Sequence, residues 1–248
     1  MNLSVVFKSL IPIDLRNIGR DSGISWMIFL PLLTGLLVRW GAPALDVYVQ
    51  ANYAFDITPY YPPLLGYFFI GLAPMVFSVL IGFVLLDEQD DNTLTALQVT
   101  PLSLYGYLAY RIIFPIILTI IMVPFLFPFS RLSTLSGPES LLAAVAAAPI
   151  APMFALYLAS VAQNKVQGFA LMKLSGLILL LPVFAYFTAP PLEYLFGLVP
   201  TYWPIKVYWL LETGGSFSSV WPFILVSWLY QGALIWLLAK RFYKKLHQ

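Results

Sequence analysis

Six long apolar runs alternate with short polar stretches along the chain, at about 24–40, 64–86, 104–128, 141–161, 168–187 and 220–239. Their lengths match the roughly 17–25 residues that a helix needs to cross the hydrocarbon of a bilayer. In hydrocarbon every backbone N–H and C=O must pair within the protein, so runs of this kind form helices. Pro31, Pro74, Pro115, Pro124 and Pro128 fall inside them, which a bundle tolerates where neighbours satisfy the freed carbonyls. Gly66 and Gly71 in the second run, and Ala143-Ala144-Val145-Ala146-Ala147-Ala148 in the fourth, permit close helix contacts. The pattern predicts an all-α, polytopic membrane protein with six transmembrane helices in a single domain, 1–248.

The polar stretches refine this picture. Leu3 to Asn17 mixes Val5, Val6, Leu10, Ile11 and Ile13 with Lys8, Asp14 and Arg16. It is too polar to span and reads as an amino-terminal interfacial helix, or else as a loose tail. Residues 42–63 form a polar, aromatic loop without Lys or Arg. Residues 189–219 carry Glu193, Lys206 and Glu212 among Pro200, Trp203 and Trp209. That stretch is too interrupted to span and predicts short helices lying at the outer surface.

Most of the polar chemistry sits between the second and third runs. Asp87, Glu88, Asp90 and Asp91 are four of the chain's eleven acids. Asp91 or Asn92 can cap a short helix, and acids suit the positive end of its dipole. Leu94 and Leu97, three apart, share one face, and Pro101 ends that helix or begins the next. Two interpretations remain open on these residues alone: a solvated loop with a capped turn, or an amphipathic helix offered to a partner.

Charge orients the whole. Placing both termini in the cytoplasm puts Lys8, Arg16, Arg20, Arg111, Lys165, Lys173, Lys240, Arg241, Lys244 and Lys245 on or near the inner side. Arg39, Arg131 and Lys206 are then outside. Ten against three favours this arrangement, and it makes the acidic stretch cytoplasmic. Arg111 and Lys173 are within reach of the inner surface by snorkelling.

Composition excludes several kinds of chemistry. The chain is 60% hydrophobic and 10% charged, with mean hydropathy +0.86, far from the roughly 25% charged of a globular chain. A net charge of +2 gives no footing for nucleic acid. There is no Cys, and His247 is the one His, which removes thiolate metal sites, disulfides and His-based triads. No P-loop, H-E-x-x-H or G-x-S-x-G is present. The acids of 87–91 lack the spaced glycine and further ligands of a calcium loop. The runs carry hardly any ionisable residue at mid-depth, where ion-coupled transporters usually place one. Phe68, Phe69, Phe77, Phe114, Phe125, Phe154, Tyr157, Phe184 and Tyr186 either line a path for an amphiphile or simply face lipid or pack.

Glu88-Gln89-Asp90-Asp91-Asn92-Thr93-Leu94, followed by Leu97, Thr100-Pro101 and Ser103, resembles the E-x-E-x-G-T-L…L…(T/S)-P-x-S signature of type-2 ABC transporter permeases. Asp90 stands where that family usually has Glu. Asn92 stands where it usually has Gly, a mild departure because Asn tolerates left-handed backbone. The order of surface helix, spans and long last outer loop is similar over nearly the full chain. Within the family the chain resembles fluoroquinolone-export permeases. The resemblance implies a permease subunit of an ATP-driven exporter of a drug, lipid or peptide. It makes the stretch a cytoplasmic coupling helix that docks an ABC ATP-binding subunit through Glu88, Asp90, Asp91, Asn92, Thr93, Leu94, Leu97, Thr100 and Pro101. It further implies ATP and Mg on that partner, no cofactor or catalysis on this chain, and a second permease copy or paralogue. Its location is then the inner (plasma) membrane. The rival expectations are a six-span secondary transporter or channel, and a membrane scaffold that transports nothing.

Overall fold

The computed structural model describes residues 3–20, 25–91 and 104–245, with side chains from residue 7 and, in the third stretch, from residue 106. Among the described residues six helices are long and apolar enough to cross a membrane. In chain order the helices are α1 (Leu3–Arg20), α2 (Ser25–Tyr53), α3 (Thr58–Asp90), α4 (Leu104–Ser130), α5 (Gly137–Val161), α6 (Lys165–Ala185), α7 (Tyr202–Glu212) and α8 (Phe217–Lys245). The protein is thus all-α and polytopic. The amphipathic coupling helix expected over Thr93 to Val99 lies outside the described residues.

Helix α3 is the axis. Every residue from Ala73 to Leu86 is buried, as suits a helix that is apolar all round. Its main partner is α5. In contrast, only 11% of the apolar window of α8 is buried, so α8 presents most of its apolar surface outward. Just before Pro74, which has no N–H to donate, α3 widens into a π-helical stretch over Gly66–Leu72, a common answer to an interrupted ladder.

Proline also breaks α5, at Ala148 and Pro149 between Gly137–Ala147 and Ile150–Val161. Val145 would ordinarily receive the N–H of residue 149, which proline lacks. Trp228 of α8 supplies the missing donor: its Nε1 bonds the Val145 carbonyl at 2.8 Å. Ser227 bonds the Ala146 carbonyl beside it at 3.1 Å. The buried alanines 143, 144, 146, 147 and 148 are what allow α8 to come that close.

Two expectations are corrected. The stretch 42–63 is not loop throughout; helix continues past Trp40 and through Pro43 to Tyr53, held by a bond from Gln50 to Asp46 one turn earlier and closed by left-handed Ala54. Residues 189–219 do form short helices, Leu192–Leu198 and α7; the first is largely exposed, but α7 is buried in the bundle rather than lying on its outer surface. Tyr230 donates to the Leu198 carbonyl (2.7 Å) and Gln231 to that of Pro200 (3.0 Å). Gln231 is the midpoint of α8, about 20 Å along the helix from Phe217 at 1.5 Å per residue. The connection therefore dips to mid-bundle, and α7 climbs back. Irregular backbone at that depth survives only where protein meets its polar groups, and Trp203 meets a third carbonyl, that of Gly197, at 3.0 Å. Tyr202, Ile205, Tyr208 and Trp209 of α7 pack into the core with Leu65 and Phe69 of α3 and Phe127 of α4. The Lys206–Glu193 pair closes the hairpin with two bonds of 2.9 and 2.8 Å.

The α3–α5 contact is tight at Gly82, where an added Cβ would lie 3.0 Å from Leu158 Cδ1 and 3.3 Å from the Ala155 carbonyl oxygen. Gly82→Val should cost about 1–3 kcal/mol through overpacking and lower the thermal unfolding midpoint in detergent. An unchanged midpoint would mean that the two helices do not meet there.

Candidate functional site

Successive residues on a helix point about 100° apart, so three polar residues in a row reach three different neighbours. The last turn of α3 uses this. Asp87 pairs with Lys165 at the start of α6 at 2.9 Å. Glu88 turns to α4, where it accepts from Arg111 and from Tyr107. Gln89 donates to the Ala159 carbonyl near the end of α5 at 3.1 Å. Lys245, at the end of α8, reaches the same place, with Nζ 3.0 Å from the Ala159 carbonyl and 2.5 Å from that of Ala162. A cation at a helix C-terminus suits the dipole and meets carbonyls that have no intrahelical partner.

The Glu88 contact belongs to a buried cluster. Tyr107, Tyr110 and Arg111 share one face of α4 at spacing i, i+3, i+4. Arg111 Nε bonds Tyr107 Oη at 3.0 Å, and the guanidinium lies 5.0 and 5.4 Å from the Tyr107 and Tyr110 ring centres, within cation–π range. Asp14 enters from α1: its Oδ2 lies 2.7 Å from Arg111 Nη1 and accepts from the Tyr110 hydroxyl at 2.6 Å. Asp14 and Arg111 are each 1% exposed and Glu88 14%. One guanidinium thus serves two carboxylates, with two phenols adding donors. Such a cluster costs desolvation and repays it only through complete bonding. Asp14 Oδ1 has no hydrogen-bond partner among the described residues.

This geometry sorts the expected docking residues. The Glu88 carboxylate is turned inward; Asp90 and Asp91 are exposed. The backbone of Asp91 closes the last turn of α3 through Asp87, at 2.9 Å. Asn92, Thr93, Leu94, Leu97, Thr100 and Pro101 lie outside the described residues. Arg111 does not snorkel to the surface, as its place near the end of a span suggested; two carboxylates hold it inside. Asp14 was visible as a charge but not as a partner. Its signal was its register: Leu10, Asp14 and Ile18 repeat every four residues, and all three are buried. The aromatic residues of the spans divide between core and outer face: Phe69 and Phe77 are buried, whereas Phe125 and Phe184 face outward. Among the described residues no group of His, Cys, Asp or Glu could hold a metal ion.

The acidic end thus ties α3 to α1, α4, α5 and α6 by ion pairs and hydrogen bonds, in an all-helical multi-pass membrane protein. The family model described as fluoroquinolones export permease protein Rv2686c-like matches residues 14–239, and the chain belongs to this family of membrane permeases. Two relatives from strains of Mycobacterium tuberculosis, each named fluoroquinolones export permease protein, are 29% identical over 234 residues, covering 94% of this chain and 92% of theirs. No solved structure gives a significant match.

Removing only the cation of the cluster leaves buried charge unpaired. Arg111→Met should cost about 3–5 kcal/mol, read as a lowered thermal midpoint in detergent. The triple change Asp14→Asn, Glu88→Gln, Arg111→Met should recover most of that loss. If the triple variant is as unstable as the single one, the cluster is not held by its charges.

Proposed function

We propose that the chain is the membrane-spanning subunit of an ATP-driven ABC exporter, resident in the inner (plasma) membrane with both termini cytoplasmic. A separate ATP-binding subunit docks on the acidic stretch, through Asp90, Asp91, Asn92, Thr93, Leu94, Leu97, Thr100 and Pro101, and carries ATP and Mg. Glu88 then works from behind that surface, fixing the last turn of α3. The observation that supports this reading best is the fan of bonds from Asp87, Glu88 and Gln89, which ties the turn next to the stretch to α4, α5 and α6, and through Arg111 to α1. A push delivered there reaches most of the inner end at once. The nucleotide must bind one conformation of the complex better than the other for that push to do work. A second copy or a paralogue completes the path. The cargo is a hydrophobic or amphiphilic molecule; the names of the relatives point to fluoroquinolones, and a lipid or peptide is a further class.

The orientation predicts that reporters fused after Gly137 and after Gln248 lie on opposite sides of the membrane. Finding them on one side would overturn the topology.

Docking is tested with the chain in its complex. Burying Leu94 and Leu97 against the partner should contribute about 1.5–3 kcal/mol for each residue, and every 1.4 kcal/mol or so is tenfold in affinity. Leu94→Asp with Leu97→Asp should reach the membrane at normal level yet lose the ATP-binding subunit in co-purification, and ATP-dependent efflux with it. The purified chain alone should hydrolyse no ATP. Unchanged assembly and transport in the double variant, or robust turnover by the isolated chain, would refute the assignment.

A further inference from the structure

We propose that a crevice between α5, α6 and α8 holds an acidic phospholipid, with the phosphate on Arg241 and one acyl chain along the groove. The cavity there has a volume of about 420 Å³. Its wall on α8 is Leu234, Leu237, Leu238 and Arg241, spaced i, i+3, i+4 and i+7, which is a single helix face. That face is apolar for two turns and then ends in a cation. Pro200 closes the other end of the groove.

Depth matches one leaflet. The Pro200 carbonyl is held by Gln231, at the midpoint of α8. From Gln231 to Arg241 the helix rises about 15 Å, half of the roughly 30 Å hydrocarbon core. The guanidinium therefore sits where headgroups begin. Ile178 and Leu237 on the rim are 42% and 53% exposed, so the groove is open along its side, over a length that the helix rise above matches to one leaflet.

Charge selects the occupant. Arg241 has no hydrogen bond or ion pair with a described residue. Its neighbours are engaged differently: Lys245 caps α5, and Lys240 lies 5.4 Å over the Trp236 ring. A guanidinium matches a phosphate with paired donors, and basic pockets between helices are suited to acidic headgroups. The choice of the inner leaflet rests on the orientation proposed above; the chemistry of the ligand does not.

Native mass spectrometry of the delipidated full chain, titrated with phosphatidylglycerol or phosphatidylcholine, tests this without ATP or partner. Its outcome is therefore separate from that of the exporter assignment. Phosphatidylglycerol should bind about tenfold more tightly. Arg241→Gln should abolish that preference, whereas Lys240→Gln, which removes the same charge nearby, should keep it. Leu238→Trp should fill the groove and lose the lipid with every cation in place. Glycerol phosphate at equal concentration should not displace the lipid. The proposal is overturned by the absence of a preference, by equal loss in the two charge variants, by lipid binding unchanged in Leu238→Trp, or by displacement with glycerol phosphate, which would mean that only a phosphate is bound.

Discussion

A guanidinium taken out of water must find acceptors for its donors, and Arg111 imposes that requirement on the whole acidic end of the bundle. Asp14 and Glu88 supply the countercharges, and Tyr107 and Tyr110 fill the remaining positions around them. Because the two carboxylates come from α1 and α3, satisfying one side chain fixes three helices. The amino-terminal helix, too polar to cross the membrane, becomes part of the bundle by this route. The facing ends of α3 and α4, between which the segment 92–103 is strung, are fixed with respect to each other by the same bonds.

A similar economy governs the middle of the bilayer. Proline and irregular backbone remove internal hydrogen bonds in a medium that offers no water, and polar side chains of α8 replace them. Trp228 and Ser227 serve the break in α5, and Tyr230 and Gln231 the turn before α7. These four residues lie within five positions, so little more than one turn of α8 supports two breaks in other elements. The outward face of α8 remains apolar, which is why its sequence shows little sign of this duty.

The spans were legible in the sequence because bilayer thickness acts on each run separately. Residues 64–86 and 220–239 could be recognised without knowledge of any neighbour. Boundaries were less legible where helix outlasts the apolar run, as in α2 beyond Trp40, since Asp46 and Gln50 can bond within a helix in water. The depth of residues 189–219 was hidden for another reason: Pro200 and Glu193 look like surface residues until Gln231 and Lys206 are seen opposite them. The ion cluster is a matter of contacts between distant positions, Asp14 with Arg111 above all. A single sequence displays the charges but not the pairing, although the register of Asp14 on the apolar stripe of α1 pointed inward. The acidic stretch was conspicuous from its composition, while the inward turn of Glu88 depends on Arg111 being there to receive it.

The bond from Trp228 to Val145 has a consequence for how the bundle can move. Pro149 leaves α5 as two rods with a joint between them, and the joint is clamped by a residue on another helix. A small rotation of α8 would carry the indole away and bare a carbonyl in hydrocarbon, at a cost of several kcal/mol. In a dry bilayer a turn of one helix is therefore costly unless the other follows it. Water reaching the joint would bond the carbonyl instead and free the clamp. Any water that reached a cavity beside α5 would thus act on this joint like lubricant on a hinge.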